Sequence, residues 1–164
     1  MQETLKTISY RGGLIAFEIP SSWADEYEAD GGGTFYDKAP ESGTLRLNVL
    51  SVIRKSPASL ADAVKEVFRG ESHQSLPSGW PVRRIVKRVE ERGTPLHLHR
   101  WEVLVPVSPV HLRLACFTHT VLASQEGGPK AMRELTLVDD AVRTARYSTA
   151  PGQIQRRPWW QIWK

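Results

Sequence analysis

Only one cysteine, Cys116, occurs in the chain. A disulfide within one molecule is therefore excluded, and so is a metal site built from cysteines alone. Long apolar runs are missing too. No stretch approaches the roughly 20 residues that a helix needs to cross a bilayer. The first ten residues, Met1 to Tyr10, lack the apolar core of a signal peptide, and the initial methionine points the same way. A cytoplasmic location is the expectation. Charge of one sign is scarce. The net charge is +4, and the densest basic run, Arg83-Arg84-Ile85-Val86-Lys87-Arg88, is followed at once by Glu90 and Glu91. A solvated face explains that run better than a nucleic-acid surface. There is no Gly-x-Ser-x-Gly motif, and no Gly-Lys-Ser/Thr follows Gly31-Gly32-Gly33. A hydrolase-type nucleophile elbow and a phosphate loop are thus both absent. Cys116 lies inside an apolar run, away from the helix starts that activate thiolates. No catalytic residue, cofactor or small-molecule substrate is expected.

What is present reads as a globular chain. Its 164 residues are 40% hydrophobic and 24% charged, which fits one domain with one core. Ile15, Phe17 and Ile19 alternate with Ala16 and Glu18, and Leu45, Leu47 and Val49 alternate with Arg46 and Asn48. Period-two alternation is the pleat of strands with one buried face. Leu5 to Tyr10 precedes these as a first strand, turning at Gly12-Gly13. Pro20 closes the second strand, and Ser21 to Asp25 reads as a helical turn. Thr34–Asp37 and Thr44–Ile53 follow as strands. The period then changes. Ser59 is placed to cap a helix whose apolar residues Leu60, Ala63, Val64, Val67 and Phe68 share one face. Gly70 ends it. Glu71 to Trp80 is polar and reads as a loop. Ala131, Leu135, Val138, Val142 and Ala145 form a narrow seam on a second helix, from Gly128-Pro129 to about Arg146.

Leu96–Val105 and Val110–Ala123 are the strongest strands, and Pro106 to Pro109 suits a four-residue hairpin loop. Pairing Val105 with Val110 sets Val103 against Leu112, Trp101 against Leu114, His99 against Cys116 and His97 against Thr118. On the other face it sets Glu102 beside Arg113 and Leu98 beside Phe117. That register unites apolar residues and pairs opposite charges.

The strand and helix order, the Phe17-x-Ile19-Pro20-x-x-Trp23 opening and the helix start at Ser59-Leu60 together resemble the PsbP-like fold superfamily. The resemblance covers roughly Leu5 to Tyr147. It implies an α+β fold with a single antiparallel sheet and two helices, in the order β-β-β-β-α-β-β-β-α, forming an α/β/α sandwich. It also decides Val82–Glu91: the helical spacing of Val82, Ile85, Val86 and Val89 argues one way, and the resemblance implies a strand. The superfamily includes a photosystem extrinsic protein, a Ran-binding nuclear-import factor and small bacterial proteins. Some of the last are adaptor chaperones for type VI secretion effectors. The resemblance implies no catalytic residues. It implies a non-enzymatic protein-binding module, bacterial and adaptor-like or chaperone-like, that offers an apolar surface to a partner.

Three groups of residues compete with that reading. His97 and His99 share a strand face, and the expected register brings Cys116 opposite; the set would make a small metal-binding protein or enzyme. Zinc sites need four ligands, or three with an open position and a supporting shell. Two histidines at the end of a buried face, beside an inert buried cysteine, account for the same residues. In this register His111 and His119 fall on the other face. Asp25, Glu26, Glu28 and Asp30 cluster near the glycine turn without calcium-loop spacing, and read as a solvated loop. Residues 148–164 read as a tail attached to a domain of residues 1–147. There Arg156 and Arg157 precede Trp159, Trp160, Ile162 and Trp163, a combination used by binding surfaces. Those six residues are the expected partner-binding set. The tail docks on its own sheet, on a second copy or another protein, or on a membrane surface. Protein partners or self-association are expected, and nucleic acid is not.

Overall fold

The computed structural model describes residues 3–151. In chain order the elements are β1 (Leu5–Tyr10), β2 (Ile15–Pro20), β3 (Ala24–Tyr27), β4 (Gly33–Tyr36), β5 (Thr44–Ile53) and α1 (Leu60–Phe68). Then come β6 (Gln74–Ser75), β7 (Pro81–Glu91), β8 (Thr94–Ser108), β9 (His111–Leu122), a 3-10 turn (Ala123–Gln125), α2 (Pro129–Thr144) and β10 (Arg146–Tyr147). The class is α+β with two helices. The strands form two antiparallel sheets, however, where a single one was expected. One is ordered β1-β2-β10 and the other β3-β4-β5-β9-β8-β7-β6.

The reason is packing. Pro20 closes β2, and Trp23 N–H donates to the Pro20 carbonyl at 3.0 Å, turning the chain away. The apolar face of β2 then lies across the large sheet. Phe17 meets Phe35 and Phe117 edge to face, with ring centroids 5.2 and 5.7 Å away. The expected helical turn at Ser21–Asp25 is a reversal into β3, which pairs with β4.

The two helices cover opposite faces of the large sheet. Val138 and Val142 of α2 join Phe17, Phe35, Leu45, Trp101 and Phe117 in the main core. Ala63, Val64 and Phe68 of α1 pack with Leu104, Leu112, Leu114 and Cys116 in a smaller cluster. Ser59 caps α1 as its spacing predicts, its hydroxyl accepting from Asp62 N–H at 3.2 Å. α2 stops at Thr144, two residues short of expectation, because Arg146 and Tyr147 pair with β2. The expected loop at Glu71–Trp80 contains β6 and a buried Leu76.

Val82–Glu91 is a strand, as the resemblance implied. Its 3.6-residue spacing loses to a ladder with β8 that runs from Val82 to Glu91. The β8–β9 register differs from expectation by three residues. Trp101 faces Phe117, Val103 faces Ala115, Leu104 faces Leu114, and His99 faces His119. The cause lies at the turn. The Ser108 hydroxyl accepts from Val110 and His111 N–H groups at 3.4 and 3.1 Å, so the reversal is tighter and further along the chain. A bulge between Pro106 and Ser108 completes the shift.

Candidate functional site

The register decides where the candidate chemistry lies. Odd-numbered residues of β8 and β9 face the main core, so His97, His99 and His119 share one face and Cys116 lies on the other. The expected union of His97, His99 and Cys116 does not form. His119 joins the histidines, against the expectation that it lay opposite. The Glu126 carboxylate, just after the 3-10 turn, binds His99 Nε2 at 3.0 Å and approaches His97 Nδ1 at 3.3 Å. Burial alone would raise the Glu126 carboxyl. The His99 hydrogen bond and the charges of His99 and His97 hold it below its ordinary value.

His119 is fully buried, and neither ring nitrogen has a hydrogen-bond partner among the described residues. Burial, and secondarily His99, push its pKa down to about 4, so the ring is neutral. Glu134 of α2 lies 3.6 Å from its Nε2, beyond a good hydrogen bond, and accepts instead from Gly43 N–H at 3.2 Å. Burial raises the Glu134 carboxyl. Among the described residues, no group of three His, Cys, Asp or Glu side chains is placed to hold a metal ion. The polar contacts at this end of the sheet are those of Glu126 with the histidines of β8 and of Glu134 with Gly43, and His119 lies buried between them without a hydrogen bond among the described residues. The acidic residues near the glycine turn are engaged locally. Asp25 pairs with Lys6 at 2.9 Å, and Asp30 accepts from Gly32 N–H at 2.9 Å.

On the opposite face Cys116 touches Arg100, whose guanidinium lies 3.2 Å from the sulfur. Burial raises the thiol, as suits an inert cysteine. Glu102 is buried there and binds both Arg100, at 2.9 Å, and Arg83. Arg83 also lies over the Phe68 ring, 4.9 Å from its centroid. The expected Glu102–Arg113 pair is absent. Arg113 sits on the other face, donating to the carbonyls of Ser148 and Ala150 at 3.0 and 2.8 Å.

The α1 face contains the feature that sequence reasoning missed. α1 has nine residues and covers only the hairpin end of β8 and β9. Beyond Cys116 neither helix among the described residues covers the face. Ile85 and Val89 of β7, Leu96 and Leu98 of β8, Leu122 of β9, and Arg46 of β5 share it by register. Along β9, His119 and Val121 are 0% and 2% exposed on the main-core face, while Leu122, on the open face, is 41% exposed. On β5, Leu45 and Leu47 are buried while Arg46 and Asn48 are exposed. Arg46 and Lys87 have no acidic partner among the described residues. A signal existed in the sequence: β8 and β9 are apolar on both faces, and a nine-residue helix cannot cover such a length. The expected partner-binding residues Arg156, Arg157, Trp159, Trp160, Ile162 and Trp163 lie outside the described residues.

No protein-family model matches the chain, and no curated protein matches it in sequence. Solved structures match its fold. A protein from Bacteroides thetaiotaomicron aligns with a TM-score of 0.61 and 17% identity over 87% of this chain, which spans 48% of that one. LpqN, involved in cell envelope biogenesis of Mycobacterium tuberculosis, aligns with a TM-score of 0.54 and 12% identity, over 88% of this chain and 89% of LpqN. The Ran-binding protein Mog1p of Saccharomyces cerevisiae aligns with a TM-score of 0.55 and 11% identity, over 88% of this chain and 96% of Mog1p. The fold is PsbP-like, shared at identities that speak for architecture alone.

Proposed function

We propose that this chain is a non-enzymatic protein-binding module that takes an apolar partner segment on the open half of its large sheet. The observation that carries the reading is the unequal burial of the two sheet faces, with Leu122 and Val89 left 41% and 38% exposed beside half-buried Leu96 and Leu98. Contiguous apolar surface of this kind, rimmed by charge, marks interaction sites. Arg46 and Lys87 select for carboxylates beside the partner's apolar stripe. The partner is thus an amphipathic segment, apolar on one side and acidic at its flank. In this reading the protein is a cytoplasmic bacterial adaptor or chaperone-like protein that shields such a segment. The description of Mog1p as Ran-binding supports a protein partner on the same scaffold.

The test uses a synthetic amphipathic peptide with Leu on one face and Glu on the other. Titrated into the labelled protein, it should shift amide resonances of Leu96–Arg100 and Thr118–Leu122 first. Leu98→Glu should abolish those shifts and leave the melting temperature within a few degrees, since the side chain is only half-buried. Shifts confined to other surfaces, or binding unchanged by Leu98→Glu, would sink the proposal.

A further inference from the structure

The outer edge of β7 is long and nearly unprotected. β6 pairs only with Pro81 and Val82, so among the described residues the stretch from Arg83 to Glu91 has no strand on its outer side. Side chains from Lys87 to Glu91 are all exposed, and Val86 is 53% exposed. An edge of this length is a template for another strand. Native edges are commonly blunted by charged side chains, by Pro or by a bulge. Here the charge is ordered: basic residues lead and Glu90 and Glu91 end the strand. Set antiparallel against itself with Lys87 on the two-fold axis, the stretch pairs Arg84 with Glu90, Arg83 with Glu91 and Ile85 with Val89. Each match occurs twice. The outward N–H and C=O groups of an edge recur at every second residue, so the neighbouring registers are shifted by two; one sets Arg84 against Arg88 and the other sets Ile85 against Glu91. The open edge is also centred on Lys87, so the incoming strand ends where β6 begins. Lys87 meets its own copy at the axis and Val86 falls opposite Arg88; these are the unfavourable pairs of the register.

We propose that β7 is a self-association edge, by which a second copy of this chain joins antiparallel through Arg84–Glu90 to continue the large sheet. This surface is separate from the open sheet face and does not depend on the partner reading above. The interface is isologous, with the same strand contributed by both subunits.

The test is a charge exchange in the full chain, followed by sedimentation at low salt over a range of protein concentrations. The wild-type chain should show a monomer–dimer equilibrium that weakens as salt is added. Glu90→Arg creates two Arg–Arg contacts across the axis, and Arg84→Glu creates two Glu–Glu contacts. Each should weaken self-association about tenfold or more. Mixing the two variants restores opposite charges at both positions, and a heterodimer of near wild-type affinity should form. Arg84 also lies over the Trp101 ring, 4.8 Å from its centroid, so thermal melting must confirm that Arg84→Glu is folded. Glu90 has no ion-pair partner among the described residues, so loss of association in Glu90→Arg stands whatever Arg84→Glu does to folding. A wild-type chain that stays monomeric overturns the proposal. So does a dimer indifferent to Glu90→Arg, which would place the interface elsewhere. If both variants fold and their mixture does not associate, the register is refuted.

Discussion

In the unfolded chain His119 takes up its proton near pH 6.5; in the fold it does so near pH 4. Between those values the unfolded chain holds more protons, so stability falls as pH drops from about 6.5 to about 4. The loss is at most roughly 3 kcal/mol. Glu134, raised by burial, works in the opposite sense, and Glu126, held low by its histidines, adds to the loss at lower pH. Urea unfolding at pH 7 and pH 5 should show the difference, and His119→Gln should flatten it. A wild-type protein equally stable at both values would mean that His119 is not neutral and buried. Two substitutions probe the faces of β8. Trp101 is 2% exposed, and its Nε1 donates to Asp139 at 3.0 Å, so Trp101→Ala should cost about 3–5 kcal/mol. Glu102→Ala takes the carboxylate from Arg100 and leaves Arg83 only Glu71 and the Phe68 carbonyl, and should cost about 2–4 kcal/mol. The sequence made Trp101 a core residue correctly. It made Glu102 a surface partner of Arg113, because Arg83 of β7, which with Arg100 binds Glu102, comes into reach only once β7 lies beside β8.

Elements formed where local patterning and capping agreed. β2, β5 and α1 follow their alternation or apolar stripe within a residue or two. The hairpin shows the limit of that logic. Several registers unite its apolar residues, and the choice is made by the Ser108 hydroxyl and a bulge, which leave no periodic trace. The contact between α2 and the loop before β5 was equally hidden. A Cβ added at Gly43 would come within 2.6 Å of His119 Nε2 and 2.8 Å of the Thr120 carbonyl. Gly43 also donates its N–H to Glu134. Gly43→Ala should therefore cost about 1–3 kcal/mol through overpacking, read as a lower midpoint in denaturant. A melt indistinguishable from wild type would show that the loop can withdraw at no expense.

For the whole molecule, the large sheet divides the protein into unequal halves. The main core joins both sheets to α2, while α1 secures a cluster of seven buried residues. Opening free energy follows buried apolar contact, so α1 should detach more readily than α2. Hydrogen exchange should find amides of Val64–Phe68 less protected than those of Val138–Val142 or Leu114–Phe117. Equal protection would make the two halves a single cooperative unit. Strand alternation and two amphipathic helices made the α+β class legible. The division into two sheets was not legible, since nothing in the spacing of β2 says whether it extends a sheet or lies across one.

The free edge of β7 bears on how the open face would work. Antiparallel pairing about an axis perpendicular to a sheet keeps the same face of each subunit on the same side. A dimer joined at β7 would therefore present two open faces side by side on one continuous surface. A ligand with two amphipathic segments on a linker of matching span would meet the second face at high effective concentration. Its avidity would then exceed what either face provides alone, and would disappear with Glu90→Arg while single-segment binding persisted.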